Sequence, residues 1–479
     1  MNGSIMIYLF GWILSFEAVF MLIPAVTALF FQESEGWWFV FTMVICLAVG
    51  LPLILRKPTN KVFYIREGCV TVGLSWIVLS AMGSLPFILS GCIPHPIDAL
   101  FETVSGFTTT GASILSDVEA LPKCMLMWRS FTHWIGGMGV LVFLLTLLPL
   151  TSGHTMNLMK AESPGPSVGK LVPKVQATAK ILYFIYFVLT CVQIVLLLIG
   201  GMPLFDTLTT AFGTAGTGGF GIKNDSMAGY SVYLQNVITV FMILFGVNFN
   251  FYFFILKKKL HQAAEMEEVR WYLLIILAAI LLITWNIRPI FGSILTAFQQ
   301  AAFQVGSIIT TTGFATTDFN LWPQASRTIL VMLMFVGACA GSTGGGMKVS
   351  RLVILAKTVS KEVHLYLHPN AVKKVKMDKK AVGHDVVRST NIFFVLYFLL
   401  FAFSVLVIAF DDFDLVTNFT AVAATLNNIG PGLELVGPTS NFGMFSPLSK
   451  CVLIFDMLAG RLEIFPLFIL FFPDTWKKF

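Results

Sequence analysis

The sequence predicts an all-α polytopic membrane protein of ten transmembrane helices, with four span, pore-helix, span units in pseudo-fourfold symmetry after two N-terminal helices. Three observations predict it. Of 479 residues, 56% are hydrophobic and 12% charged, with a mean hydropathy of +0.83, whereas a soluble domain carries about twice that share of charge. Apolar runs near the roughly 20 residues that a helix needs to cross a bilayer recur ten times. Four short glycine segments, TTTGAS (Thr108 to Ser113), GTGGFG (Gly216 to Gly221), TTTGFA (Thr310 to Ala315) and NNIGPG (Asn427 to Gly432), lie between those runs. Aligned on Gly111, Gly219, Gly313 and Gly430, they are 108, 94 and 117 residues apart, a period that marks four quasi-equivalent units.

The runs at 5–31 and 36–55 precede the repeats. The first unit joins 68–90 to 124–150 through a short apolar helix, Ala99 to Phe107, with Pro96 and Asp98 in its first turn. Proline fits there because its missing N–H has no partner in a first turn, and the carboxylate offsets the positive helix end. The second unit, 176–200 to 232–256, places Pro203 and Asp206 before Thr207 to Ala215. In the third, 270–290 to 325–347, Ser293 is the candidate cap of Ile294 to Ile309, and in the fourth, 389–410 to 447–472, Asp414 precedes Leu415 to Leu426. The division expected is 1–58 for the N-terminal extension and 59–150, 151–260, 261–360 and 361–479 for the four pore units.

Basic residues orient the chain, because short loops rich in Lys and Arg stay cytoplasmic. Arg56, Lys57, Lys61 and Arg66 follow the second run; Lys160, Lys170, Lys174 and Lys180 the fourth; Lys257 to Lys259 the sixth. Lys357, Lys361, Lys373, Lys374, Lys376, Lys379 and Lys380 follow the eighth, and Lys477 and Lys478 the tenth. Both termini are therefore expected in the cytoplasm and the glycine segments on the external side. The net charge of +6 follows from this asymmetry; it marks a solvated face or a docking surface for a partner or anionic lipid, and gives no support for nucleic-acid binding. The N-terminus lacks the basic start and cleavage site of a signal peptide, so the first run is expected to be retained. The seven cysteines show no CxxC and no histidine cluster at metal spacing; Cys92 and Cys124 flank the first external loop, and free thiols are expected there rather than a bridge.

Each short helix would descend from outside and end near mid-membrane, where extended backbone is tolerated only beside a wet cavity or within protein. Four helix C-termini pointing at one axis favour a cation there. Glycine lets carbonyls turn toward the axis with least strain, and rings of carbonyls replace the hydration shell of potassium. Threonine hydroxyls at Thr108 to Thr110 and Thr310 to Thr312 add oxygen ligands beside them. The segment GACAGSTGGGMK, Gly337 to Lys348, interrupts the eighth run with glycines that each cost a helix about 1 kcal/mol. Its Gly346-Met347-Lys348-Val349 lacks the GK[ST] of a phosphate loop, so no nucleotide site is expected in this chain. Arg461, in DMLAGRLEIF of the tenth run, is either a functional charge facing the bundle or the partner of Asp456 or Glu463. Glu17, Glu102, Arg129 and His133 read as structural, with a Glu102–Arg129 pair and a negative potential at the mouth both open; His364 and His368 read as surface residues. An intramembrane hydrolase would need a nucleophile paired with a base, for which the serines and His133 show no dyad spacing, so no enzyme activity is expected.

At these motifs the chain resembles the Trk/Ktr/HKT superfamily of potassium transporters over nearly its whole length. The two runs before the first unit, and RSFTHWIGGMG at Arg129 to Gly139, are similar to the TrkH branch. The resemblance implies a potassium filter at Thr109, Thr110, Gly111, Thr217, Gly218, Gly219, Thr311, Thr312, Gly313, Asn428, Ile429 and Gly430. It implies potassium bound at Thr109, Thr110, Thr217, Gly218, Thr311, Thr312, Asn428 and Ile429, with Gly111 favouring potassium over sodium. It further implies a gate of Gly341, Ser342, Thr343, Gly344, Gly345 and Gly346 beneath that filter, with Arg461 nearby. A homodimer in a bacterial inner membrane, with a cytoplasmic TrkA-like nucleotide-binding regulatory subunit, belongs to the same expectation. A sodium-preferring or non-selective monovalent cation transporter of the superfamily is the alternative.

Overall fold

The computed structural model describes residues 3–58, 64–139 and 175–477. Lys61, Lys160, Lys170, Lys174, Lys478 and residues 140–150 of the fourth expected span lie outside them. Helix α1 (Gly3–Phe20) runs through a break at Met21 into α2 (Leu22–Phe31), and α3 (Gly36–Leu55) packs back along them. A Cβ on Gly11 would lie 2.8 Å from the Gly50 carbonyl oxygen, and one on Gly50 2.9 Å from that of Gly11. The two backbones touch there, as small residues permit between helices in lipid.

The units follow in order. The first is α4 (Ile65–Leu89), α5 (Pro96–Phe107) and α6 (Lys123–Met138); the second is α7 (Val175–Ile199), α8 (Leu204–Gly216), α9 (Val232–Phe245) and α10 (Phe249–Leu256). After α11 (Leu260–Ala264), the third comprises α12 (Glu267–Phe291), α13 (Ile294–Ile309), α14 (Gln324–Met334) and α15 (Val349–Leu367). An antiparallel hairpin, β1 (Lys376–Met377) with β2 (Lys380–Ala381), leads to the fourth, α16 (His384–Ile408), α17 (Leu415–Leu426), α18 (Pro447–Arg461) and α19 (Phe465–Phe468). On α12, Tyr272, Ile276 and Ile283 are buried while Leu274, Leu277 and Leu281 are exposed. Leucine turned outward along an apolar helix is the pattern of a face in contact with lipid.

The short helices α5, α8, α13 and α17 have 12, 13, 16 and 12 residues; at about 1.5 Å per residue none spans a hydrocarbon core of about 30 Å. Their expected starts hold. Pro96 sits at the first position of α5, and Asp414 Oδ1 accepts from the N–H groups of Val416 and Thr417 at 2.9 and 3.0 Å. Ser293 flanks α13 as expected, but its side chain makes no capping bond.

Ten unbroken spans are not what the described residues form. Six helices are long and apolar enough to cross, or seven if α9 and α10, bent by 91°, count as one. The runs expected at 232–256, 325–347 and 447–472 each break: at Gly246–Asn248, over residues 335–348 and after Arg461. Hydropathy averages over such breaks because most of the interrupting residues are themselves apolar or small.

Candidate functional site

Each short helix ends in the same turn. The residue two before the aligned glycine is left-handed, with φ of 56° at Thr109, 56° at Thr217, 60° at Thr311 and 54° at Asn428. Its N–H donates to the carbonyl three residues back, at 3.1 Å in all four turns. The next N–H donates to the carbonyl five back: Thr110 to Ser105, Gly218 to Gly213, Thr312 to Ser307 and Ile429 to Ala424, at 2.8 to 2.9 Å. These two bonds close a helix end in a Schellman turn, which glycine usually completes. Here threonine does so three times, although a β-branched residue at positive φ is an outlier.

The glycines then form a ring. A Cβ on Gly111 would fall on the Gly218 carbonyl oxygen, one on Gly219 on that of Thr312, and one on Gly313 on that of Ile429; a Cβ on Gly430 would lie 2.9 Å from the Thr110 oxygen. Each glycine thus abuts the carbonyl that precedes the next loop's glycine, and the fourth loop returns to the first. The Asn428 side-chain amide strengthens that seam, donating to Thr110 Oγ1 and to the Met457 carbonyl, both at 2.9 Å. All twelve residues expected in the filter lie on these turns. A cavity of about 160 Å³, lined by Gly111, Gly219, Gly313, Gly430, Arg129 and Lys223 among others, opens on one side of the ring.

The glycine-rich segment between α14 and α15 lies against residues that precede the ring glycines. Gly345 N–H donates to Thr311 Oγ1 at 2.6 Å, and a Cβ on Gly345 would lie 2.7 Å from the Asn427 oxygen. The break between α9 and α10 braces it. Cys339 N–H donates to the Gly246 carbonyl at 3.0 Å, Phe249 N–H to that of Gly341 at 3.0 Å, and Thr343 Oγ1 to that of Phe245 at 3.3 Å. Within the segment Ser342 N–H donates to the Cys339 carbonyl at 3.3 Å, and Gly341 and Gly346 are left-handed, with φ of 68° and 74°.

Three charged groups hold this segment. Arg461 donates to Thr109 Oγ1 at 3.3 Å, to the Thr343 carbonyl at 2.9 Å and to the Gly137 and Gly136 carbonyls, at 2.8 Å to the former. The pairing weighed for it with Asp456 or Glu463 is not among these bonds: Asp456 accepts from Ser404 at 2.8 Å, and Glu463 pairs with Arg351. Lys348 Nζ donates to the Gly344 and Gly345 carbonyls. Glu268 Oε1 accepts from Ala340 N–H at 2.7 Å and Ser350 N–H at 3.1 Å, and its Oε2 from Asn248 at 3.3 Å. Sequence reading missed Glu268 and Asn248 and used Lys348 only against a phosphate loop; a carboxylate at the start of a span was the available signal. Glu102 and Arg129 do pair, at 2.7 Å. Glu17 is buried, and the rings of His364 and His368 lie 5.0 Å apart on and just after α15. Among the described residues no three His, Cys, Asp or Glu side chains group as metal ligands.

The sequence profile of the TrkH family, described as a cation transport protein, matches residues 37–478. The chain belongs to the TrkH family. This membership in a family of transporters sets aside the intramembrane hydrolase reading. Among its relatives, the family member is 38% identical over 468 residues to the Trk system potassium uptake protein TrkH of Salmonella typhimurium (strain LT2), covering 96% of each chain. It is 34% identical to the Trk system potassium uptake protein TrkH of Halomonas elongata, covering 100% of each chain, and 34% identical over 487 residues to the Trk system potassium uptake protein TrkG of Escherichia coli (strain K12), again covering 100% of each. Its fold matches the crystal structure of the potassium transporter TrkH from Vibrio parahaemolyticus with a TM-score of 0.88 at 35% identity, over 100% of both chains.

Proposed function

We propose that this chain takes up potassium across a bacterial inner membrane, through a filter made by its four glycine loops. The observation that carries the reading is the closed ring of glycines and carbonyls at the ends of four short helices. Helix C-termini and carbonyls both favour a bare cation. In this reading potassium is held at Thr109, Thr110, Thr217, Gly218, Thr311, Thr312, Asn428 and Ile429, and the units 59–150, 151–260, 261–360 and 361–479 each supply one wall. Gly341 to Gly346 form the gate, because they lie directly against Thr311 and Asn427, and Arg461 adds a positive barrier there. The Lys-rich links place the gate and both termini toward the cytoplasm. The Trk system names carried by the relatives support control by a cytoplasmic TrkA-like nucleotide-binding subunit, and a homodimer belongs to the same reading.

The test is uptake of labelled rubidium and sodium into proteoliposomes. Saturable rubidium uptake with preference over sodium is expected, and Gly111→Ser should lower that preference, since its Cβ displaces the Gly218 carbonyl. Saturable sodium uptake without rubidium uptake would instead establish the sodium-preferring alternative.

A further inference from the structure

Helix α6 enters the wall between the first and second glycine loops more deeply than packing alone requires. A Cβ on Gly136 would fall on the Phe107 carbonyl oxygen, and one on Gly218 on the His133 ring. Two polar side chains, one turn apart on this face, cross from the first loop to the second. Arg129 Nε donates to Glu102 Oε1 at 2.7 Å, its NH2 group to Ser113 Oγ at 3.3 Å and its NH1 group to the Gly221 carbonyl at 3.2 Å, with the guanidinium 4.1 Å over the Phe220 ring. Glu102 Oε2 in turn accepts from Ile114 N–H at 3.0 Å.

His133 Nδ1 lies 2.8 Å from the Gly106 carbonyl, and its Nε2 3.3 Å from Phe220 N–H. A carbonyl can only accept and an amide N–H only donate, so the proton sits on Nδ1 and the Nε2 lone pair receives Phe220. Both side chains are buried. One residue thus ties the last turn of α5 to the residue after Gly219, while the other ties Ser113 to Gly221.

We propose that Arg129 and His133 are positioning residues for selectivity, fixing the separation of the first two loops and so the spacing of the Gly218 carbonyl from Gly111. The inference rests on the filter reading above. Its logic is that a carbonyl ring discriminates between cations only while its oxygens keep their spacing, and at this wall the bonds run through side chains of a third element.

The test uses His133→Asn, His133→Gln, Arg129→Lys and Gly219→Ser in the full chain, with labelled rubidium and sodium uptake into proteoliposomes. Asparagine supplies an amide at the place of Nδ1 and leaves Phe220 N–H without its acceptor; glutamine reaches the place of Nε2. His133→Asn is expected to cut the rubidium over sodium preference about fivefold, the worth of one hydrogen bond, with rubidium uptake retained. His133→Gln should recover part of that loss, and Arg129→Lys should lower preference while keeping its charge against Glu102. Ser113→Ala, which removes no charge, gives the same reading where another variant fails to accumulate. Unchanged preference in these variants, with preference lost in Gly219→Ser, overturns the positioning role alone. Unchanged preference in Gly219→Ser as well overturns the filter reading.

Discussion

Thr109, Thr217 and Thr311 hold a backbone conformation that costs on the order of 1–3 kcal/mol each, and their surroundings repay it. Thr311 is the clearest case, because its hydroxyl accepts the Gly345 N–H at 2.6 Å and so joins the ring to the segment below. Thr311→Val keeps the shape and removes that acceptor, leaving a buried N–H unpaired at a cost of about 1–3 kcal/mol. The expected result is faster rubidium flux in the absence of any regulatory subunit, measured in proteoliposomes; a slower or unchanged flux would detach Thr311 from gating. The ring glycines were legible in the sequence because glycine segments, two of them TTTG, recur between apolar runs 94 to 117 residues apart. Glu268 was not legible as a brace of the glycine-rich segment, since it meets backbone far along the chain, as in the 72 residues between Glu268 and Ala340.

Among the elements, the short helices were read within three residues, because a proline, a carboxylate or a serine punctuates each start and glycine follows each end. Of the broken helices, the glycines of 337–348 marked one interruption in the sequence, whereas Gly246–Asn248 passes for part of a continuous span, and only its bonds to the glycine-rich segment show where α9 stops. Arg461 closes α18 and reaches across to the Thr343 carbonyl and to α6. Arg461→Ala removes that tie together with a charge, so basal flux is expected to rise; unchanged flux and unchanged gating would count against a barrier at this position. A second tie lies midway along α15, where Lys357 meets Glu267 at 2.5 Å and the hairpin contributes Lys379 to Glu265, also at 2.5 Å. The hydrogen bond from Lys379 holds the Glu265 carboxyl below its ordinary range. Its contribution is therefore complete above the ordinary carboxylate pKa and is lost as pH falls through the lowered value. The protection of the hairpin amides relative to their intrinsic exchange rates should fall below that point, and Glu265→Gln should lower that protection at every pH.

Across the whole molecule, the ring depends on contacts between the two ends of the repeat. Lys450 of α18 pairs with Asp98 of α5 at 2.6 Å, Phe442 N–H donates to the Ser113 carbonyl at 2.8 Å, and Asn428 reaches Thr110 across 318 positions. Lys450→Met should lower thermal stability in detergent by about 1–3 kcal/mol, as expected for a hydrogen bond to a charged group that is mostly shielded, without changing ion preference; an unaltered melting temperature would show that the seam does not need the pair. That seam also sets an order of events during biosynthesis. A ribosome delivers the first loop early and the fourth last, so a nascent chain halted before Asn428 holds three of the four glycine loops. The ring closes only when the final stretch of polypeptide reaches back to its beginning.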